Sequence, residues 1–488
     1  MSKPAKVIPI MSASAEVEDS AQFVSMYQKQ PTIYPRAVKG WFANWRWVFV
    51  WLTQLLFYGL PWLQWSGRQA VLFDLDAQRF YIFGLLLYPQ DLIFLAALLV
   101  LSALALFFFT AVAGRLWCGY TCPQTVYTEI FMWAERKIEG DRVARMRLDQ
   151  QPWRWRKIWR KGAKHSAWLS IALFTGFSFV GYFTPIRELA MDLASWNLSG
   201  WNAFWVLFYG AATYGNAGFL REQMCKYMCP YARFQSALID KDSLIITYDA
   251  KRGDPRGSRS RKADSAAHGL GDCIDCTLCV QVCPTGIDIR NGLQNECIGC
   301  AACIDVCNDV MDKMGYAKGL IRYSTENGVV NGWTRLQMFK RALRPRVLIY
   351  GAVLSAASVT FAASVAMRSP FKFDVVKDRG ALARVVEEGA VENVYRIQIM
   401  NRTEAPQTYR VAASGIDGLE VVAMPASAGP AAVTSTSVSL RLPFVVAQGL
   451  AGRSVPVMFA VTRVEPTSGT SADRSAIQFE KSTFFIPR

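Results

Sequence analysis

The sequence predicts a multidomain membrane protein in three parts: a bundle of five membrane-spanning helices, a cysteine-rich domain between the fourth and fifth spans, and a C-terminal β-sandwich. Three observations predict it. Five charge-free stretches are long enough to cross a bilayer, which takes about 20 residues of helix. Two tandem cysteine runs lie between residues 273 and 307. The segment 369–488 has short alternating apolar runs and no cysteine. The composition agrees: of 488 residues, 52% are hydrophobic although 19% are charged, a mixture of membrane and soluble segments rather than one globular core.

The elements follow in chain order. The opening "MSKPAKVIPIMSASAEVEDSAQF" has no apolar core and carries acids, so residues 1–46 read as a cytoplasmic tail rather than a signal peptide. The charge-free stretches are Trp47–Gly67, Leu92–Gly114, Ser166–Ile186, Leu193–Leu220 and Val347–Met367. Phe80–Gln90 is too short to span and is expected to lie at the interface or to extend the second span. The loop Arg115–Lys164 holds twelve Lys/Arg against five acids, and Arg221–Arg346 is similarly basic; the third-to-fourth connection has only Arg187 against Glu188 and Asp192. Basic loops stay inside, which places the N-terminus and the cysteines in the cytoplasm and the C-terminus outside. Topology thus accounts for most of the +16 charge, and nucleic acid is excluded as a partner in favour of membrane lipid.

Four spans over residues 47–240 read as a duplication, because each pair of spans ends in Cys-x-Tyr-x-Cys-Pro: "CGYTCP" at 118–123 and "CKYMCP" at 225–230. Residues 241–270, with "KRGDPRGSRSRKADSAAH", read as a basic flexible linker. The cysteine-rich domain follows over 271–345, the fifth span over 346–368 and the sandwich over 369–488. In "VYRIQIMN" (394–401) Tyr395, Ile397 and Ile399 face one side and Arg396 and Gln398 the other, and strand-like runs recur in "GLEVVAM", "TSVSLRLPF", "SVPVMFAVT" and "KSTFFI".

The chemistry lies in the twelve cysteines. "CIDCTLCVQVCP" (273–284) and "CIGCAACIDVCN" (297–308) each have the Cys-x2-Cys-x2-Cys-x3-Cys spacing that wraps a [4Fe–4S] cubane, the fourth sulfur reaching the other cluster. Cys273, Cys276, Cys279 and Cys307 are assigned to one cluster, and Cys297, Cys300, Cys303 and Cys283 to the second. Zinc is the alternative for four-cysteine sites. Asn308 stands where a second proline is usual, which affects the local turn more than the ligation. The two histidines, His165 and His268, read as solvated loop residues; no bis-histidine intramembrane haem can be built from them, and no dinucleotide fingerprint or P-loop is present.

The two paired motifs supply Cys118, Cys122, Cys225 and Cys229. On a helix, cysteines four apart hold Cβ atoms about 5–6 Å apart, beyond the ~3.5–4.5 Å of a relaxed disulfide, so a soft metal fits between them with less distortion. Pro123 and Pro230 bend the chain there. If the halves are pseudosymmetric the four thiols converge, and "MCKYMC" adds Met224 and Met228 as weaker soft ligands. Thiolate and thioether favour Cu(I) over Cu(II), and for a one-electron couple each ~59 mV of preference is a factor of ten. Simple packing of the cysteines, or cluster ligation by all four, are the competing readings. Tyr120 and Tyr227, at matched positions, are expected to pack at the membrane interface.

With "YPRAVKGWFANWRW", both Cys-x-x-x-Cys-Pro motifs, "ITYDAKRGDPRG", the tandem cluster runs and "VENVYRIQIMNRT" in this order, nearly the whole chain resembles the CcoG/FixG/RdxA family, accessory proteins for assembly of cbb3-type cytochrome oxidases. The resemblance implies a bacterial cytoplasmic-membrane protein with two [4Fe–4S] clusters and an immunoglobulin-like periplasmic domain. It further implies cupric reductase activity, with copper as substrate, supplying Cu(I) for the oxidase, and the periplasmic domain meeting oxidase assembly proteins. The four paired cysteines carry over as candidate copper-handling residues. The cytoplasmic electron donor stays unnamed and the oligomeric state open, a homodimer included. A quinol-linked relay to another respiratory enzyme, or a non-enzymatic assembly factor with sensory or structural clusters, are the competing functions.

Overall fold

The computed structural model describes residues 32–261, 269–378, 380, 382–464 and 477–487. The expected tail therefore lies outside the described residues up to 31, as does His268. Residues 32–40 form an extended strap rather than a free tail: Arg36 N–H donates to the Gln281 carbonyl, the Tyr34 hydroxyl to Asp149 (2.8 Å) and Ala37 N–H to Asp141 (3.1 Å).

Helix α1 (Trp41–Gly59) starts earlier than the first charge-free stretch and is stopped by Pro61. A hairpin, β1 (Gln64–Trp65) and β2 (Arg68–Gln69), and a three-stranded sheet of β3 (Val71–Asp74), β4 (Arg79–Ile82) and β5 (Leu85–Leu87) follow. Of the two expectations for Phe80–Gln90 this corrects the extension of the second span: Phe83 and Gly84 make a tight reversal, and the apolar run folds back on itself as two paired strands.

Next come α2 (Leu92–Ala113), α3 (Leu116–Tyr120), α4 (Pro123–Ile138), α5 (Arg142–Gln150), α6 (Trp155–Val180), α7 (Ile186–Ala194), α8 (Gly200–Gly215), the three-residue α9 (Arg221–Gln223) and α10 (Pro230–Leu238). Every charge-free stretch overlaps a helix. Among the described residues two helices are long and apolar enough to cross a membrane, Pro89–Ala113 and, later, α16. The other three are mixed: α6 begins inside the basic segment, α8 ends after 16 residues in a wider π-type turn (Asn216–Leu220), and α1 carries the buried Arg46.

The expected linker is in its first half part of the cysteine-rich domain. Strand β6 (Ile245–Tyr248) pairs antiparallel with β7 (Ile321–Ser324), and α11 (Ala250–Gly253) follows β6. Between them lie α12 (Leu278–Gln281) and α13 (Ala302–Met314); α14 (Glu326–Val330), α15 (Arg335–Ala342) and α16 (Pro345–Ala366) lead to the last domain.

That domain is the expected sandwich. One sheet runs β12 (Glu420–Ala423), β14 (Val433–Leu442), β10 (Val391–Asn401), β8 (Phe371–Lys377), with β9 (Arg384–Val385) beside β10. The other runs β13 (Ala426–Ala428), β11 (Gln407–Ser414), β15 (Ser454–Val464), β16 (Ile477–Phe485). A short helix, α17 (Phe444–Gly449), follows β14. Tyr395, Ile397 and Ile399 are buried and Arg396 is exposed, as the alternation requires. The core is closed by Phe371, Tyr409, Phe459 and Phe484 from both sheets. The small β3–β5 sheet packs on this domain: Leu72, Tyr81, Leu86 and Tyr88 bury against Met400, and Asp91 meets Arg402 in a buried ion pair.

Candidate metal centres

Each cysteine run begins as a tight loop and leads into a helix, which Cys283 follows in the first run and on which Cys307 lies in the second. Asp275 and Thr277 in the first run (φ 53° and 57°) and Gly299 and Ala301 in the second (φ 69° and 60°) share left-handed backbone at matched positions. Three of these four are not glycine and hold a sparsely populated conformation, as chains wrapped round a metal site do. Helices α12 and α13 start directly after, so Cys279 and Cys303 stand in first turns. Pro284 follows the short α12. With Asn308 in the matching place α13 continues to Met314, and the Asn308 carboxamide oxygen accepts from Gly319 N–H (3.0 Å).

The eight cysteines line two cavities. Cys273, Cys276, Cys279 and Cys307 face the first; Cys283, Cys297, Cys300 and Cys303 face the second, with Cys279 at its edge. This is the crossed grouping expected from the spacing, and the walls are apolar: Ile274, Val310, Met311 and Leu320 in one, Ile246, Ile287 and Ile298 in the other. Charge on Cys273, Cys276 or Cys279 acts on Cys307, and charge on Cys300, Cys297, Cys283 and, from the other group, Cys279 acts on Cys303. Burial pushes Cys279 up to about 11 and Cys297 and Cys307 up to about 12. Such thiols stay protonated until a metal replaces the proton. Arg290 braces the first loop through Asp275 (2.5 Å) and Asp288 (2.7 Å). Among the described residues no three His, Cys, Asp or Glu side chains are close enough to hold one ion. Four sulfurs around each apolar cavity fit the four irons of a cubane.

The paired motifs converge beside the second of these groups. Cys118 lies on α3; Cys225 lies in a π-type turn (Met224–Met228), and Cys122 and Cys229 immediately precede the prolines that open α4 and α10. Cys118 and Cys225 pack on the buried patch of Val282, Ile298, Cys300 and Ala302. Charge on any one of Cys118, Cys122 and Cys229 acts on Cys225, so the four thiols form one electrostatic group. Burial, with that mutual repulsion, pushes Cys118 up to about 11 and Cys225 up to about 12. All four are reduced and half-buried. Met224 is half-buried and Met228 exposed.

Residues not singled out from the sequence do the positioning. Gly119 lets α3 lie backbone-to-backbone on the Gly299–Cys300 loop: a Cβ there would sit 2.8 Å from the Gly299 carbonyl. Buried Arg115 donates to the carbonyls of Asn295 and Ala232, and Gln235 accepts from the Cys118 thiol (3.3 Å). Asp305 on α13 accepts from Phe42 and Ala43 N–H (3.2 and 2.7 Å), capping α1 from another domain. The one sequence signal for these is a charged residue, Arg115, directly after an apolar span. The tyrosines are not equivalent. Tyr120 is buried, its hydroxyl 3.5 Å from that of Tyr323, which donates to the Gly299 carbonyl (2.6 Å); Tyr227 is exposed. His165 is no solvated loop residue either: it lies on α6 in an aromatic cluster, Nδ1 2.9 Å from the Tyr214 hydroxyl.

Comparison with known proteins agrees with this organisation. The family model described as a 4Fe-4S dicluster domain matches residues 220–326. One described as an IG-like fold at the C-terminal of FixG matches 361–487, and one described as a 4Fe-4S binding domain matches 95–140. The nitrogen fixation protein FixG of Rhizobium meliloti is 36% identical over 80% of this chain and 80% of its own; the protein RdxA of Cereibacter sphaeroides is 38% identical over 81% and 84%. The chain belongs to the FixG/RdxA family. A crystal structure of a FixG-related protein from Vibrio parahaemolyticus aligns at 22% identity and a TM-score of 0.20, covering 24% of this chain and 97% of that one. As a member of this family the chain is an iron–sulfur electron-transfer protein of the membrane; the dicluster match begins well before the cysteine domain expected at 271–345 and takes in Cys225 and Cys229.

Proposed function

We propose that this protein reduces Cu(II) to Cu(I) at Cys118, Cys122, Cys225 and Cys229, and that the Cu(I) serves assembly of a cbb3-type oxidase. The observation that carries the reading is the packing of Cys118 and Cys225 on Cys300 and Ile298: soft-ligand thiols abut the wall of the second cluster cavity. Cys273, Cys276, Cys279 and Cys307 would hold one [4Fe–4S] cluster, and Cys297, Cys300, Cys303 and Cys283 the other; when bound, the clusters supply one-electron carriers between an electron donor and copper. Each Cu(II) takes one electron, and the four thiols hold Cu(I) better than Cu(II) because sulfur is the softer ligand. Gly119 and Arg115 keep the thiols against the loop, and the apolar patch keeps water from the contact.

In this reading the chain crosses the inner membrane five times, with the cysteines inside and the sandwich in the periplasm, where it meets oxidase assembly proteins. The contacts support the alternation. The N-terminal end of α1 is held by the cysteine domain, while the connection from α1 to α2 packs on the sandwich through Arg68–Glu404 (2.7 Å) and the Tyr88–Asn401 hydrogen bond (3.0 Å). The test is anaerobic stopped-flow mixing of Cu(II) with protein whose clusters are pre-reduced, following cluster absorbance and capture of Cu(I) by a chelator. The variant C118S/C122S/C225S/C229S should keep both clusters and lose fast coupled oxidation. Equal responses would refute the copper site.

One observation favours a second reading. The segment 95–140, matched by a 4Fe-4S binding family model, contains two cysteines, Cys118 and Cys122. The four thiols would then hold a third cluster, and purified protein would carry three clusters' worth of iron instead of two.

A further inference from the structure

A cavity of about 700 Å³ opens between α1, α4 and α6, well within the size of small-molecule sites. Its walls are aromatic: Trp47 and Trp51 from α1, Trp133 from α4 and Phe174 from α6. Three polar groups enter it. Gln54 is 9% exposed, and its Oε1 has no hydrogen-bond partner although its side chain also neighbours the Tyr127 hydroxyl. The Tyr58 hydroxyl pairs with Thr175 Oγ1 at 2.8 Å. Arg136 reaches the cavity while bonded to Glu129 (3.2 Å). Leu55 and Trp51, exposed at 67% and 63%, mark a mouth toward the lipid.

The cavity is close to the second cysteine group. Arg46, on the same helix, is within electrostatic reach of Cys300 and is bridged to Glu129 at 3.9 Å. Gln54 stands eight residues further along α1, about 12 Å at 1.5 Å per residue. An aromatic cavity with a free amide oxygen, a hydroxyl oxygen and a guanidinium, flanked by exposed Leu55 and Trp51, and about two helical turns along α1 from the Arg46 that neighbours Cys300, has the features a hydroquinone ring requires. An acyl chain would need none of these polar groups.

We propose that this cavity binds the ring of a membrane quinol, its tail leaving past Leu55 into lipid, and that the quinol is the electron donor. This rests on the copper reading above. Gln54 Oε1 and the Tyr58 hydroxyl oxygen accept from the ring hydroxyls, and Arg136 donates to an oxygen of the quinone product. Oxidation of one hydroquinone to quinone releases two electrons and two protons. Two Cu(II) ions taken to Cu(I) consume the electrons, and the protons leave to water at the Arg136 end.

The test uses full-length protein in lipid nanodiscs with decyl-ubiquinone as probe, read by quenching of the cavity tryptophans. Saturable quenching is expected, with affinity several-fold to tenfold weaker in Gln54→Leu, the loss of one hydrogen bond, and abolished in Ile130→Phe, which fills the slot. Should Gln54→Leu fail to fold, Ile130→Phe and Tyr58→Phe carry the test. Quenching that never saturates, that is equal in the variants, or that a saturated C10 hydrocarbon competes away equally well would mark the cavity as an acyl-chain groove and overturn the proposal. Wild-type protein reduced with dithionite and desalted is mixed with Cu(II) separately. Failure there with saturable quenching intact refutes the copper reading and leaves the ring site standing.

Discussion

Gly119→Ala tests the contact on which the functional reading rests. Gly119 is in a helix, where alanine normally gains about 1 kcal/mol over glycine. Here the new methyl would lie 2.8 Å from both the carbonyl carbon and oxygen of Gly299 and 2.9 Å from Cys300 Cα, all backbone atoms that cannot rotate away. The two segments must part by about 0.6 Å to restore ordinary contact, an overpacking that costs about 1–3 kcal/mol. The helix gain offsets part of this, leaving a net loss of up to about 2 kcal/mol, or a shift in local opening of up to about 30-fold. The assay is alkylation of Cys118 by N-ethylmaleimide, followed by mass spectrometry in the intact protein, since Cys118 is half-buried in this contact. Its labelling should rise several-fold in the variant, and fast copper reduction should fall with it. Gly215→Ala is the control: Gly215 ends α8 in helical geometry (φ −66°) with nothing within 4 Å of its virtual Cβ, so this change should be neutral or stabilising. If Gly119→Ala labels like wild type and melts no lower, α3 does not press on the Cys300 loop and the route from thiol to cluster loses its structural support.

Three further outcomes are expected. Burial pushes the Glu135 carboxyl up, but Arg221 (2.9 Å), Arg145 (2.8 Å) and Lys164 outweigh it and hold it below the usual range. That stability is fully present above the unfolded value of about 4.5 and is lost as pH falls through the lower folded value. Acid should therefore loosen the α4–α6 region below about pH 4.5, and Glu135→Gln, which strands buried cations at a cost of about 3–5 kcal/mol, should abolish that step in a pH series of thermal melts. Asp305→Ala removes the cap on Phe42 and Ala43 and should lower stability by about 1–2 kcal/mol, seen as faster amide exchange at the start of α1. Asp91→Ala leaves Arg368 and Arg402 facing each other without an anion. It should cost about 3–5 kcal/mol and speed proteolytic release of the sandwich from the helices.

The features legible in the sequence were those set by short-range pattern. The cysteine runs announce themselves by spacing, and the fourth cysteine of each, Cys283 just past α12 and Cys307 on α13, faces the cavity lined by the other run. Strand β10 was legible because one face is buried throughout its length. The misread elements depend on distant partners. Ile245–Tyr248 is only four residues long and becomes a strand by pairing with Ile321–Ser324. The Phe80–Gln90 run is as apolar as a helix end, and its strands are decided by the reversal at Phe83–Gly84 and by burial against Met400. Span edges were misplaced because absence of charge marks apolar surface, whereas helix ends are set by Pro61 in α1 and by a basic segment that stays helical in α6.

The two Cys-x-Tyr-x-Cys-Pro motifs meet the cysteine domain differently. The first is an ordinary helical turn, and its glycine, Gly119, makes the close backbone approach. In the second the matching position is Lys226, which could not approach so closely. There the helix widens twice, at Asn216–Leu220 and at Met224–Met228, with Arg221 in positive φ between (φ 33°). Each π-type turn takes extra residues into the helix and rotates the chain beyond it, and together they carry Cys225 round to the Cys300 patch on which Cys118 already lies. Gln124, the residue after the first motif's proline, holds this distortion in place by donating to the Asn216 and Arg221 carbonyls (2.9 and 3.1 Å). One motif therefore supports the irregular geometry of the other. The glycine and the π-type turns together bring Cys118 and Cys225 onto one buried patch.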